Sequence, residues 1–167
     1  PSSPPSAGRP VIGINPIPFS NSDYWVGGGE DPYRRYLQVL ADFTGWLCDR
    51  GYEVRYFPTQ LTLDPLVIDD LEARLPRELL SSGQVRRESI GSMADLGAAI
   101  SDMHAVVASR FHGLVFAAAR RKPVIGIAYA VKTRDLLEYM GIGEMAVDID
   151  ALDLEGVRPR RWPGDRG

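Results

Sequence analysis

Short apolar runs, each closed by a turn residue and separated by stretches of helical periodicity, limit most strongly what this chain can fold into. Val11-Ile-Gly-Ile14 stops at Asn15-Pro16, and Glu53-Val-Arg-Tyr-Phe57 stops at Pro58. Ala105-Val-Val-Ala108 and Pro123-Val-Ile-Gly-Ile127 follow, with Met145-Ala-Val147 as a last short candidate. Runs of this length are too short for core helices and too apolar for a half-exposed sheet, so they read as strands buried on both faces. Between the first two, Asp31-Pro32 reads as N-cap and first turn of a helix. Its stripe is Tyr36, Leu37, Leu40, Phe43, Thr44 and Leu47, and Gly51 supplies the stop. Ser92 caps a second helix, with Leu96, Ala99, Ile100 and Met103 on one face. Helices are also predicted over 64–75, 113–119 and 132–140, and 84–89 reads as a weak strand or a loop. Strands alternating with helices predict an α/β fold: a doubly wound, mostly parallel, Rossmann-like sheet with helices on both faces and right-handed crossovers.

At 167 residues the chain has room for one domain with a sizeable core. The Pro/Ser-rich start, residues 1–10, reads as a flexible linker leading from something longer. Residues 11–150 form the expected Rossmann-like domain. Residues 151–167, with Arg158, Arg160, Arg161 and Arg166, read as a solvated basic tail. A net charge of −3 argues against nucleic acid as a partner, because phosphate-backbone binding rests on a basic surface. The single cysteine rules out an intrachain disulfide and fits a reducing, cytoplasmic location. No apolar run approaches the roughly 18 residues of a transmembrane segment. Two separated histidines with no clustered cysteine or carboxylate give no metal-ligand spacing, so no metal is expected. Gly27-Gly-Gly29 matches neither a dinucleotide fingerprint nor a phosphate-binding P-loop and reads as a mobile loop; beside it Tyr24 and Trp25 read as ordinary exposed loop aromatics, with stacking on a sugar ring as the alternative.

The chemistry concentrates at one turn. In an open α/β sheet, ligands bind beyond the carboxyl ends of the strands. Ser109-Arg110-Phe111-His112-Gly113 sits at such an end. Ser109 is the expected cap of the next helix, whose free N–H groups and dipole favour a phosphate or carboxylate. Arg110 offers a planar fork of donors for either group, or pairs with a surface carboxylate. His112 is the residue type that moves protons near neutral pH, and Gly113 lets backbone approach a ligand closely. Asn15, Tyr129 and Lys132 fall at the same edge of the sheet. Asn15 contacts ligand or serves as turn chemistry; Lys132 complements a phosphate or simply opens a helix. His104, Cys48 and the Asp69-Asp70 pair read as structural: a strand-start histidine, a buried inert thiol and helix-start charge.

Val107-Ala-Ser-Arg-Phe-His-Gly-Leu114, Lys122-Pro-Val-Ile-Gly-Ile127, Tyr129, Lys132, Leu136-Leu137 and Met140-Gly-Ile142 together resemble the polysaccharide pyruvyl transferase family. The resemblance is strongest over about 92–143 and looser over 11–57. It implies a two-lobed fold similar to the GT-B glycosyltransferases, with this chain as the C-terminal, donor-side lobe. It further implies transfer of a pyruvyl group from phosphoenolpyruvate, as donor substrate and with no other cofactor, to a sugar hydroxyl of a cell-surface glycan. Arg110 and His112 match the family's Arg-x-His motif, which is implicated in holding the donor. The expected partners are phosphoenolpyruvate, the glycan acceptor, and either an N-terminal lobe or a second copy of the chain. Two other functions fit the residues: a non-catalytic binding or scaffold domain with an anion pocket, and a nucleotide-sugar glycosyltransferase lobe, for which Glu138 and Glu144 are the available ribose-binding carboxylates.

Overall fold

The computed structural model describes residues 8–21, 23 and 27–158. Tyr24, Trp25, Arg160, Arg161 and Arg166 therefore lie outside the described residues, as does most of the expected linker.

Six strands form one sheet: β1 (Val11–Asn15), β2 (Glu53–Tyr56), β3 (Val85–Arg87), β4 (Ala105–Ala108), β5 (Val124–Ala128) and β6 (Ala146–Asp148). Their spatial order is β3-β2-β1-β4-β5-β6, and every pairing is parallel. The order reverses between β1 and β4, whose last residues Asn15 and Ala108 are register partners. This is the doubly wound α/β fold expected from the alternation, with the uncertain 84–89 segment resolved as an edge strand.

Alternation of side chains across the central strands divides the core in two. Ile12, Ile14, Val54, Tyr56, Val107 and Ile125 face one side. There they meet α1 (Glu30–Asp49), α2 (Asp64–Glu72) and the short α7 (Leu154–Val157). Val11, Phe57, Val106 and Val124 face the other, against α4 (Met93–Ser101), α5 (Phe111–Ala119) and α6 (Val131–Tyr139). A further short helix, α3 (Arg77–Ser81), leads from α2 to β3. Period-2 burial in a strand thus feeds two helical layers, each buried side chain contributing about 1.5–3 kcal/mol.

The helix ends differ in detail from the expectation. α1 starts two residues early: Gly29 is its N-cap, and Glu30 and Asp31 occupy the first turn, where the helix dipole favours carboxylates. Gly51, at φ 87°, takes the left-handed conformation expected after its C-terminus. Ser92 caps α4 as expected: its side chain accepts from Asp95 N, and the Asp95 carboxylate accepts from Gly91 N at 3.0 Å. Hydrogen bonding to the carboxylate, from the Ser92 side chain first and Gly91 N next, holds the Asp95 carboxyl below the usual carboxylate range.

The domain also continues past 150. Leu152 and Val157 are buried, and the Arg158 guanidinium lies 5.1 Å from the ring centroid of Trp46. Arg158 is thus packed on α1 and does not begin a solvated tail. One buried group has no counterpart in the sequence reading. Arg55, on β2, is 2% exposed and bonds Glu53 and Glu88 at 2.8 Å each. Burial works against its charge, but the two carboxylates more than offset this and raise its pKa.

Candidate anion site at the strand-order switch

The carboxyl ends of β1 and β4 meet where the strand order reverses, the position at which open α/β sheets bind ligands. Five of the expected site residues gather there, and the fold assigns them different tasks. Asn15 is 1% exposed. Its Nδ2 donates to the Phe57 carbonyl at 3.0 Å and its Oδ1 accepts from Arg110 N at 3.2 Å. Both ends of the amide are used within the protein, so Asn15 ties the end of β2 to the start of α5.

Ser109 is fully buried, and its Oγ lies 2.9 Å from the Tyr36 hydroxyl on α1. Ser109 is therefore not the cap of α5. The N-cap is Arg110, in extended conformation, and no side chain caps the first turn. A serine turned inward to satisfy a buried tyrosine cannot also reach the helix amides, so those amides stay open toward the edge of the sheet. Gly113 is buried as well. A Cβ there would stand 2.9 Å from Asn15 Oδ1 and 3.1 Å from Ala108 Cβ, so the bare glycine lets α5 approach the strand ends.

Arg110 makes the most specific contact of the site. Its Nε and Nη2 donate to Oδ1 of Asp64 at 3.0 and 2.6 Å, and Nε lies 3.2 Å from Oδ2. Asp64, at the start of α2, is 0% exposed, while the Arg110 side chain is 23% exposed. The partner of Arg110 is thus a buried carboxylate and not the surface one that the sequence reading offered. Asp64 is missed in the sequence because Asp before Pro65 reads as ordinary helix-start chemistry.

His112 projects from the first turn of α5, exposed, with its ring edge-on to Phe111 at 6.3 Å between centroids. No described residue hydrogen-bonds it. Tyr129 and Lys132 belong to the next strand end. Tyr129 is half-buried and lines a cleft of about 470 Å³ with Val131, Arg134, Asp148 and Asp150. Lys132 is exposed in the first turn of α6. The remaining candidates are structural. His104 Nδ1 accepts from Val11 N at 2.9 Å, Asp69 bonds Arg87 at 2.7 Å, and Asp70 accepts from the Tyr33 hydroxyl at 2.7 Å. Cys48 is buried, and burial pushes its thiol up to about 11. Among the described residues no group of three His, Cys, Asp or Glu is placed to hold a metal ion, and no helix is long and apolar enough to cross a membrane.

The family model for polysaccharide pyruvyl transferase matches residues 6–130, a span that holds the whole β1–β4 switch and the Arg-x-His turn. The chain belongs to the polysaccharide pyruvyl transferase family. No curated protein matches this pyruvyl transferase family member. Among solved structures it is similar to ADP-heptose LPS heptosyltransferase II of E. coli, at 25% identity and a TM-score of 0.53, covering 73% of this chain and 33% of that one. The glycosyltransferase SnogD of Streptomyces nogalater is 22% identical with a TM-score of 0.55, covering 98% and 37%. A mutant O-GlcNAc transferase of Thermobaculum terrenum is 21% identical with a TM-score of 0.52, covering 93% and 30%. The last two likenesses concern the fold alone, and all three are GT-B glycosyltransferases, in line with a Rossmann-like GT-B half. The chain spans about a third of the length of each.

Proposed function

We propose that this family member is the donor-binding lobe of an enzyme that transfers the pyruvyl group of phosphoenolpyruvate to sugar hydroxyls of a cell-surface polysaccharide, in the cytoplasm. One observation carries the reading: at the strand-order switch, the uncapped first turn of α5 and a guanidinium fixed on a buried carboxylate converge on the same edge. Phosphoenolpyruvate bears a phosphate and a carboxylate, the two groups that amides at a helix N-terminus and an arginine fork recognise best. Exposed apolar side chains at the carboxyl edge, Leu61, Phe111 and Val131, support the presence of a second lobe over this face.

The reaction is an addition followed by a displacement. A sugar hydroxyl adds to C2 of the enol while C3 takes a proton and becomes a methyl group. The C–O bond to phosphate breaks, inorganic phosphate leaves with the bonding pair, and a second hydroxyl adds to C2 with loss of its proton, closing the ketal. His112 carries one of these proton transfers, a role worth about 10²–10⁴-fold for a placed acid or base. Arg110 and the α5 amides stabilise charge on the departing phosphate. Lys132, one strand over, adds a cation on the same edge.

The test is calorimetric titration of the chain with phosphoenolpyruvate, beside an Arg110→Ala/His112→Ala variant and nucleoside diphosphate controls. Saturable binding lost in the variant is the expected result. Binding of a nucleoside diphosphate in place of phosphoenolpyruvate would support nucleotide-sugar transfer, a reading favoured by the likeness to ADP-heptose LPS heptosyltransferase II.

A further inference from the structure

We infer that Asp64 is the positioning residue of this anion site: it fixes the Arg110 guanidinium so that the Nη1 side and the open turn of α5 meet the ligand together. The inference rests on the reading of the switch point as the phosphoenolpyruvate site.

The carboxylate is anchored independently of Arg110. Its Oδ2 accepts from the backbone N–H groups of Thr59 and Gln60, both at 2.9 Å, and the Thr59 hydroxyl lies 3.5 Å away. Those bonds hold Asp64 to the loop after β2 whatever the arginine does, which leaves Oδ1 aimed at Arg110. The guanidinium therefore takes its orientation from the carboxylate. The other end of the residue is pinned too, by Arg110 N on Asn15 Oδ1. Nε and Nη2 are occupied, and Nη1 has no partner among the described residues. An arginine held at both ends loses little side-chain freedom when a ligand arrives, which is how preorganisation raises affinity.

A competing role is open to the same geometry. Asp64 would then occupy Arg110 until the ligand displaces it. Burial argues against this, because a guanidinium that left for a ligand would strand a fully buried carboxylate with no cation beside it, held by the Thr59 and Gln60 amides and the Thr59 hydroxyl. The two roles predict opposite signs. Loss of a positioning carboxylate weakens ligand binding, and loss of a competitor strengthens it.

Asp64→Asn keeps the side-chain shape and an oxygen for the Thr59 and Gln60 amides, and removes the charge that orients Arg110. We expect it to raise the Kd for phosphoenolpyruvate by at least about tenfold, the size of one charge-assisted hydrogen bond lost. It should cause no further loss in an Arg110→Ala background, as coupled residues do. Unchanged or tighter binding in Asp64→Asn, or equal losses in both backgrounds, would overturn the inference. If the unsubstituted chain binds no phosphoenolpyruvate, the proposed function fails, and solvent exchange of the Arg110 Nε–H by NMR judges Asp64 alone. Slow exchange in the parent and fast exchange in Asp64→Asn, with the backbone spectrum retained, supports the fixing of Arg110; equal exchange overturns it.

Discussion

The Tyr36 hydroxyl lies 2.9 Å from Ser109 Oγ and also accepts from Ile17 N at 3.0 Å, joining α1, the turn after β4 and the loop after β1 through one buried oxygen. That oxygen explains why Ser109 points inward and why the first turn of α5 stays uncapped. Tyr36→Phe removes the acceptor and leaves a buried amide and a buried hydroxyl without it. The expected loss is about 1–3 kcal/mol, read from the urea midpoint with an unchanged slope. A midpoint equal to that of the parent would mean that water replaces the hydroxyl.

His112 makes the opposite prediction, because it is exposed and bonds no described residue. His112→Ala should leave stability within about 0.5 kcal/mol of the parent. In the proposed two-lobe enzyme it should lower turnover about 10²–10⁴-fold. Near-normal turnover would remove His112 from the proton transfers, whatever the binding data show.

Gly113→Ala sets helix propensity against packing. Alanine gains up to about 1 kcal/mol in a helix interior. Its Cβ would meet Asn15 Oδ1 at 2.9 Å and Ala108 Cβ at 3.1 Å, both held by the strands. Neither neighbour is a flexible chain end, so packing should win, with a net loss of about 1–3 kcal/mol. Thermal unfolding decides the sign: a raised Tm would show that α5 can move away from β1 and β4.

Alkaline pH should destabilise the domain. Burial raises the Cys48 thiol from its ordinary value of 9.0 to about 11, and burial also raises the hydroxyls of Tyr36 and Tyr56. These groups stay protonated in the folded chain after the unfolded chain has begun to release their protons. Their contribution is complete below about pH 9 and declines as the pH rises through 11. Chemical denaturation at pH 7, 9 and 10.5 should give midpoints that hold and then fall. Cys48→Ala should flatten the first part of the decline.

Much of the domain was legible because its signals are local. β1, β2, β4 and β5 are apolar runs with turn residues at their ends, and Ser92 and Gly51 mark helix ends by chemistry confined to a few residues. The Arg-x-His turn was legible for the same reason: a strand, an arginine, a histidine and a glycine stand within nine consecutive positions. Arg158 was misread because a run of arginines resembles a solvated tail, and only Trp46 on a distant helix makes it part of the core surface.

Periodicity, caps and motif spacing act between near neighbours, so the class of fold, the family and the turn proposed to carry the chemistry can all be read along the chain. Tertiary structure alone decided the order of the strands, the inward turn of Ser109 and the pairing of Arg110 with Asp64 across 46 positions. A buried carboxylate must find its donors wherever the packed chain brings them, and no local pattern records where that will be.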